Sequence, residues 1–343
     1  MSAPLNPGPG IPAGLTRDTF PRFAEPHRQE LKLHCYRMLG SLQDAEDVVQ
    51  ETFVKAWNAL DEFEGRALFK SWLYRIATNT CLNALTSRSR SGRLLPQQLA
   101  GPSTELPQGP PDSDVPWLQP YPGFELESIV DSSAGPERRY EMREAVRLAF
   151  VAAIQQLPPR QRAALLLSDV VGWSAQEIAS LLGGSVASVN SALQRARTTM
   201  HSSYGSDASS TRTVQDADHR VLLDRYVRAW ESSDLDALVD LLKEDATYSM
   251  PPRRQWYRGR DAIRWFFSSV WKSYGGFRLV RTEANDQPAF GLYTLANAAA
   301  GWNAHSLQVL SVQDDRISAL TMFMKPLSVT LFPAFRLPLV LEN

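Results

Sequence analysis

Apolar residues recur every three to four positions through residues 20–93, a period that predicts helices. "ELKLHCYRML" keeps this spacing and stops at Gly40. "DAEDVVQETFVKAWNAL" follows, with Asp44 as the expected N-cap and acids in its first turn, where the helix dipole favours them. Its expected buried stripe is Ala45, Val49, Phe53, Ala56, Trp57 and Leu60. "KSWLYRIATNTCLNAL" is again helical, with Trp72, Ile76, Cys81 and Leu85 as candidates for burial. Residues 137–200 return to the helical period. From about residue 214 the texture changes. Two helices, "ADHRVLLDRYVRAWESSD" and "LDALVDLLKEDA", lead to short strands at "TYSM" and "QWYRG" and a helix beginning at Asp261. Strand patterns then dominate: "FRLVRTEA", "FGLYTLA", "HSLQVLSVQ" and "RISALTMFMK", the last two a hairpin around Asp314 and Asp315. Helices followed by a run of antiparallel strands make an α+β domain.

Polar breaks divide these stretches. A Pro/Gly-rich opening, "MSAPLNPGPGIPAG", lacks the basic start and apolar segment of a secretory signal, so residues 1–19 are expected to be a disordered arm. Residues 94–136, rich in Pro, Gly, Gln and Ser, are expected to be a linker, and 204–213 a second, shorter one. Within the first, "VPWLQPYPGF" is too apolar for a bare spacer, and Trp117, Tyr121 and Phe124 need cover. At 343 residues the chain exceeds one ordinary domain. No apolar run approaches the roughly 20 residues that span a bilayer. Two cysteines, Cys35 and Cys81, build no disulfide framework, which fits a reducing cytoplasm.

A formal net charge of −1 hides strong segregation. Acids dominate 44–64; 66–93 carries Arg66, Lys70, Arg75, Arg88, Arg90 and Arg93 with no acid; 94–136 has acids and no base. Local positive charge suffices for a phosphate-binding surface.

Three patterns carry candidate chemistry. "SAQEIASLLGGSVASVNSALQRAR" reads as two helices joined at Gly183 and Gly184, the first opened by a Ser174–Glu177 capping box. Asn190 and Gln194 lie one turn apart on the second, with Ser191 and Arg195 beside them, while Val189, Leu193 and Ala196 suit the inward side. Asn and Gln can bridge adenine's edge in the major groove, and Arg can bridge guanine or hold phosphate; a helical hairpin with a polar face is the structural alternative. Opposite the buried stripe of the 44–60 helix run Asp47, Gln50, Glu51 and Val54, a partner surface or a solvated face. In "FEGRALFKSWLYRIATNTCLNALTSRSR", Phe63, Arg66, Phe69 and Lys70 interleave rings with charge, which suits unstacked single-stranded DNA; Trp72 and Tyr74 suit the core. The five histidines are scattered and give no metal cluster.

In this order, "DAEDVVQETFVKAW", "FEGRALFKSWLYRIATN" and "LPPRQRAALLLSDVVGWSAQEIASLLGGSVASVNSALQRAR" resemble regions 2 and 4 of the extracytoplasmic-function sigma factors of bacteria. The resemblance implies an all-α region 2 (20–93), a linker (94–136) and an all-α helix-turn-helix region 4 (137–203). It implies that Asp47, Gln50, Glu51 and Val54 face core RNA polymerase, which such factors meet through its β′ and β subunits. It assigns Phe63, Arg66, Phe69, Lys70, Arg75, Asn79 and Arg88 to the −10 promoter element. It assigns Ser174, Ser188, Asn190, Ser191, Gln194, Arg195 and Arg197 to the −35 element. Many relatives carry Lys or Arg where this chain has Asn190. The acidic linker would run near the polymerase's basic channels, its carboxylates standing in for phosphate.

"YVRAWESSDLDALVDLLKEDATYSMPP" with "WYRGRDAI" resembles the SnoaL-like cone, a curved sheet wrapped by helices, which makes 214–343 an α+β extension, and "LFPAFRLP" resembles the tail of the sigma-G group. Such cones enclose an apolar pocket, with Tyr248, Trp256, Tyr257, His305 and Asp315 as polar candidates here, for a small ligand. The expectation is a cytoplasmic, cofactor-free transcription initiation factor, not an enzyme, regulated in cis by the cone, whose contact is expected at Trp117, Tyr121 and Phe124. The alternatives are a helix-turn-helix regulator acting without polymerase, and a regulator fused to a SnoaL-like enzyme.

Overall fold

A computed structural model describes residues 12–65, 67–87, 92–127, 129, 143–208, 216–295 and 301–342. The chain forms two compact units, Met1–Arg93 with Glu127–Ser203 and Leu94–Leu126 with Tyr204–Asn343.

The first unit is helical. Helix α1 (Phe20–Ala24) precedes α2 (Arg28–Leu39), which ends at Gly40 in the left-handed conformation that closes helices. Helix α3 (Leu42–Asn58) is capped by Ser41, whose hydroxyl accepts from the Asp44 amide. Asp44 is therefore not the cap; it sits in the first turn and pairs with Arg93 at 2.6 Å. Of the expected stripe, Ala45, Val49, Ala56 and Leu60 are buried and Phe53 is half-buried. Trp57 is exposed, contrary to expectation: Val48 and Thr52 take the inward positions. Part of the expected disordered arm lies against it, the Arg17 guanidinium standing 5.0 Å from the Trp57 ring and pairing with Asp61. Helix α4 is Phe69–Ser87.

The second half of this unit holds α5 (Leu148–Ile154) and α6 (Pro159–Leu165), which continues as a π-turn, Leu166–Val171. Helices α7 (Ala175–Leu182) and α8 (Val186–Ala208) follow. Buried Arg162 fastens the halves together. Its Nη1 donates to the Met38 carbonyl and to Gln155 Oε1 (2.7 Å), and its Nη2 to the Gln155 and Leu157 carbonyls (2.7 and 3.1 Å). Gln155 donates to the Arg37 carbonyl, and Arg37 to that of Ala145. Burial lowers the Arg162 pKa to about 10.

The second unit is a sheet backed by helices. Helices α9 (Asp216–Glu231) and α10 (Leu235–Asp240) lead into β1 (Leu242–Ser249) and β2 (Trp256–Arg258). The helix expected to run to Ala246 stops at Asp240, because Leu242 pairs with Ile317 in the sheet. Helix α11 (Arg260–Val270) precedes β3 (Phe277–Ala284), β4 (Gln287–Leu295), β5 (Trp302–Gln313) and β6 (Arg316–Phe323). Helix α12 (Leu327–Ala334) and β7 (Val340–Leu341) close the chain. The strand order is β2-β1-β6-β5-β4-β3, with β7 on β5; β1 and β6 run parallel, unlike the antiparallel run expected. Asp314 and Asp315 turn the expected β5–β6 hairpin at positive φ, and Asn285 and Asp286 do the same between β3 and β4.

Residues 94–126, which composition marks as a linker, belong to this second unit. The Ser103 and Asp112 amides donate to the Trp256 and Pro252 carbonyls (2.7 and 2.8 Å), and Asp112 pairs with Arg254 at 3.0 Å. At Gly123 the segment passes so close to β3 that a Cβ there would meet Glu283 Cβ at 2.4 Å. Among the described residues no helix is long and apolar enough to cross a membrane.

Candidate functional site

Helix α3 turns one polar face outward. Asp47, Gln50, Glu51 and Val54 are all exposed, Val54 to 59%. Asp47 accepts from Gln43 at 2.9 Å and Glu51 pairs with Lys55 at 2.7 Å, so both carboxylates stay at the surface. Leaving a valine in water on an otherwise polar face wastes apolar surface that a partner could cover.

The loop before α4 turns its two phenylalanine rings inward. Phe63 and Phe69, expected to offer rings to bases, are 9% and 5% exposed. Phe63 stacks on Trp72 with centroids 4.5 Å apart, and Phe69 meets Phe20 and Phe63 edge-on. Rings that satisfy one another this way bury more area together than either would alone. Leu68 is the exposed apolar residue of the loop, at 66%. Lys70 is exposed and pairs with Glu30. Arg75 reaches Ser180 on α7 at 3.5 Å, and Asn79 is exposed. Arg66 and Arg88 lie outside the described residues.

The hairpin of α7 and α8 follows its sequence closely. Ser174 accepts from the Glu177 amide while the Glu177 carboxylate accepts from Ser174, and Gly183 ends α7 with φ 63°. Ser188 donates to the Ser185 carbonyl within the first turn of α8. Val189, Leu193 and Ala196 are buried. Ser188, Asn190, Ser191, Gln194, Arg195 and Arg197 are exposed. Arg197 is not free: Nη2 and Nε donate to Asp169 at 2.6 and 3.1 Å.

In the second unit Trp117 and Tyr121 are buried and Phe124 is half-buried. The Trp117 indole donates to the Asp112 carbonyl (2.8 Å), inside the segment itself. The Tyr121 amide donates to Asn285 Oδ1 and its carbonyl accepts from the Asn285 amide, both at 2.8 Å. The Arg336 guanidinium lies 3.9 Å from the centre of the Phe124 ring.

A cavity of about 270 Å³ lies in the same unit, lined by Trp230, Tyr248, Phe267, Trp271 and His305 among others. Sequence reasoning found Tyr248 and His305 but missed Trp230, Trp271 and the wall contributed by Leu106 and Pro107. Trp256 and Tyr257 hold the 94–126 segment instead, donating to the Ala100 and Glu105 carbonyls at 2.8 and 2.7 Å. Asp315 sits in the exposed β5–β6 turn, outside the cavity lining. His305 Nε2 is 3.1 Å from the Tyr274 hydroxyl, and burial, helped by the charge of Lys325, pushes its pKa down to about 4. Among the described residues, no side chain lining the cavity is a carboxylate.

Residues 23–91 match Sigma-70 region 2, 147–200 match Sigma-70 region 4, and 223–320 match the SnoaL-like domain. The ECF RNA polymerase sigma factor SigG of Mycobacterium tuberculosis is 43% identical over 334 residues, 95% of this chain and 86% of that protein. The RNA polymerase sigma-H factor of Pseudomonas aeruginosa is 36% identical over 47% of this chain and 73% of its own length. The crystal structure of the Mycobacterium tuberculosis extracytoplasmic function sigma factor SigJ aligns with 93% of this chain and 99% of its own, with a TM-score of 0.57 at 22% identity.

Proposed function

The chain belongs to the extracytoplasmic-function sigma factors, and from that premise we propose how its surfaces divide the work. A sigma factor binds core RNA polymerase and directs promoter-specific initiation. The α3 face of Asp47, Gln50, Glu51 and Val54 meets the β′ subunit. Lys70, Arg75 and Asn79, with the neighbouring basic residues, hold the −10 element once the polymerase engages, and the outward side of α8 reads the −35 element. One observation carries this division: α3 and α8 each bury one stripe and leave the other stripe polar and exposed. Core polymerase supplies much of the affinity, so a chain of formal charge −1 needs only these local surfaces.

The SnoaL-like domain regulates in cis and is open to a small ligand. Support comes from the hydrogen bonds and the Asp112–Arg254 pair that fasten the 94–126 segment to it. A segment held there is not at liberty to follow a polymerase channel. Tethering keeps the effective concentration of such a contact in the millimolar range, so a weak grip suffices.

Run-off transcription with core polymerase from the promoter upstream of the protein's own gene tests both readings. Gln50→Ala with Glu51→Ala should weaken core binding while leaving helicity unchanged; unchanged affinity rules out the α3 assignment. Deleting Val214–Asn343 should shift transcript levels, and Trp117→Ala should shift them the same way. If neither changes output at equal protein concentration, the domain is a passive appendage.

A further inference from the structure

We propose that Leu68 is an apolar wedge that enters the base stack of the −10 element and starts strand separation. The inference rests on the assignment of the loop before α4 to that element, and adds to it a residue and a step.

Exposure singles Leu68 out. At 66% it is the most exposed of the large apolar side chains among the described residues. The rings beside it are engaged with one another: Phe69, the next residue, meets Phe20 and Phe63 edge-on, and Phe63 stacks on Trp72. The Leu68 carbonyl accepts from the Trp72 amide at 3.0 Å as α4 opens. A helix start and a locked ring therefore fix the backbone, and the side chain projects from a rigid base. An apolar side chain held out in water forfeits burial that a partner supplies.

Charge identifies the partner. Residues 66–93 carry Arg66, Lys70, Arg75, Arg88, Arg90 and Arg93 and no acid. Lys70, two positions on, is exposed, and the carboxylate that reaches it, Glu30, is also held by His27 Nδ1 at 2.6 Å. An apolar tip beside an acid-free basic stretch fits a partner that is anionic outside and apolar within. Stacked bases between two phosphate strands have that character.

Shape decides what the side chain does there. A flat ring receives one unstacked base on its face, and the phenylalanine rings of this loop are turned inward. A branched aliphatic has no flat face. Between neighbouring base pairs it acts as a spacer, in the way that leucine and isoleucine wedges partially unstack a step and kink the duplex. Leu68 thus acts on the duplex, before any single strand exists. Arg75 and Asn79, farther along α4, act on the strand that the opening releases.

Open-complex formation by the full chain with core polymerase tests the proposal on two templates. One is a duplex promoter from which the parent initiates; the other is the same promoter with mismatches across the −10 element, so that its strands are already apart. On the duplex, Leu68→Ser should lower both run-off transcript and permanganate reactivity of −10 thymines by about tenfold or more, because nothing then offsets the cost of unstacking a step. On the mismatched template the same variant should transcribe nearly as the parent does. Leu68→Met, which keeps an apolar wedge, should recover most of the loss. Affinity for core polymerase should be equal for all three proteins. Should serine disturb the fold, Leu68→Ala takes its place under the same limits. Equal opening of the duplex by parent and serine variant makes Leu68 a bystander. An equal loss on both templates makes it a single-strand contact, and a lower affinity for core makes it a polymerase contact. Each of the three overturns the proposal. A parent that initiates nowhere removes the −10 assignment as well, whereas a parent that opens the duplex without help from Leu68 removes only the wedge.

Discussion

The two units put their candidate residues in opposite environments. In the helical unit the candidates of α3 and α8 sit on outward stripes; in the strand-rich unit Tyr248 and His305 line a cavity walled from α9, α11, the sheet and the 94–126 segment. An outward stripe can be altered without loss of the fold, whereas a cavity wall belongs to the core that carries it. Among the described residues of the helical unit, Arg37, Gln155 and Arg162 are buried polar groups, and their hydrogen bonds serve assembly.

That contrast breaks first, and hardest, at Arg162. Arg162→Met keeps the length of the side chain but strips donors from the Met38, Gln155 and Leu157 carbonyls. Unsatisfied buried acceptors cost about 1–3 kcal/mol each, and with partial relaxation the unit should lose about 4 kcal/mol. Amide hydrogen exchange should accelerate across α2, α5 and α6 and stay unchanged in β4 and β5.

Acid should weaken both units through one buried histidine in each. His34, packed against Thr78, has its pKa pushed down to about 3 by burial and the nearby Arg37 charge, and His305 stands at about 4. Above pH 6.5 neither folded nor unfolded histidine is protonated and the stability is complete. Below it the unfolded chain takes up protons that the folded chain refuses, at about 1.4 kcal/mol per pH unit for each group. By pH 4 the loss at His305 should reach about 3 kcal/mol. His305→Gln should flatten this slope in the exchange rates of the sheet and leave that of α2 as it was.

The same contrast explains what could be read from the sequence. Period alone oriented α8: Val189, Leu193 and Ala196 inward, Asn190 and Gln194 outward, because a helix side chain's direction follows from its number. Trp57 broke that rule: it stays exposed, with Arg17 lying against its ring, while Val48 and Thr52 take the inward positions. Phe63 and Phe69 turn inward for a like reason: whether a loop ring faces water depends on its partners, Trp72 for Phe63 and, for Phe69, Phe20, 49 positions away. The cavity was legible only in part. Tyr248 and His305 stood out as polar groups in a strand pattern, while Trp271 looked like any core aromatic and Leu106 lay in a stretch read as linker. The Asn285–Asp286 turn was there to be found, a polar pair between two strand patterns, and its side chain's grip on Tyr121 was not.

On the outward stripes the expected effects are smaller and fall on binding. Asn190→Ala and Gln194→Ala should each cost about 1–3 kcal/mol at one base position and little elsewhere. Binding of residues 137–201 to a promoter library measures this; an equal loss across all sequences would remove their base-reading role.

Arg197 gives the smallest effect and the finest division between scaffold and reader. It was expected to hold DNA phosphate, yet it is tied to Asp169 by two hydrogen bonds at the surface. Exposed pairs contribute about 0.2–1 kcal/mol, so Asp169→Asn should barely move the stability of the hairpin. If Arg197 turns to phosphate in the complex, losing its competitor should strengthen binding to all sequences alike. The slope of log K against log salt should then steepen by about 0.9, the counterion release of one added phosphate contact. Removing the Asp169 charge would also relieve its own repulsion from DNA, so the variant alone does not separate the two causes. Adding Arg197→Gln does: the gain disappears if Arg197 delivered it and survives if Asp169 merely repelled. A slope that never departs from that of the parent would assign Arg197 to the same task as Arg162, holding the helices in place while other side chains read the promoter.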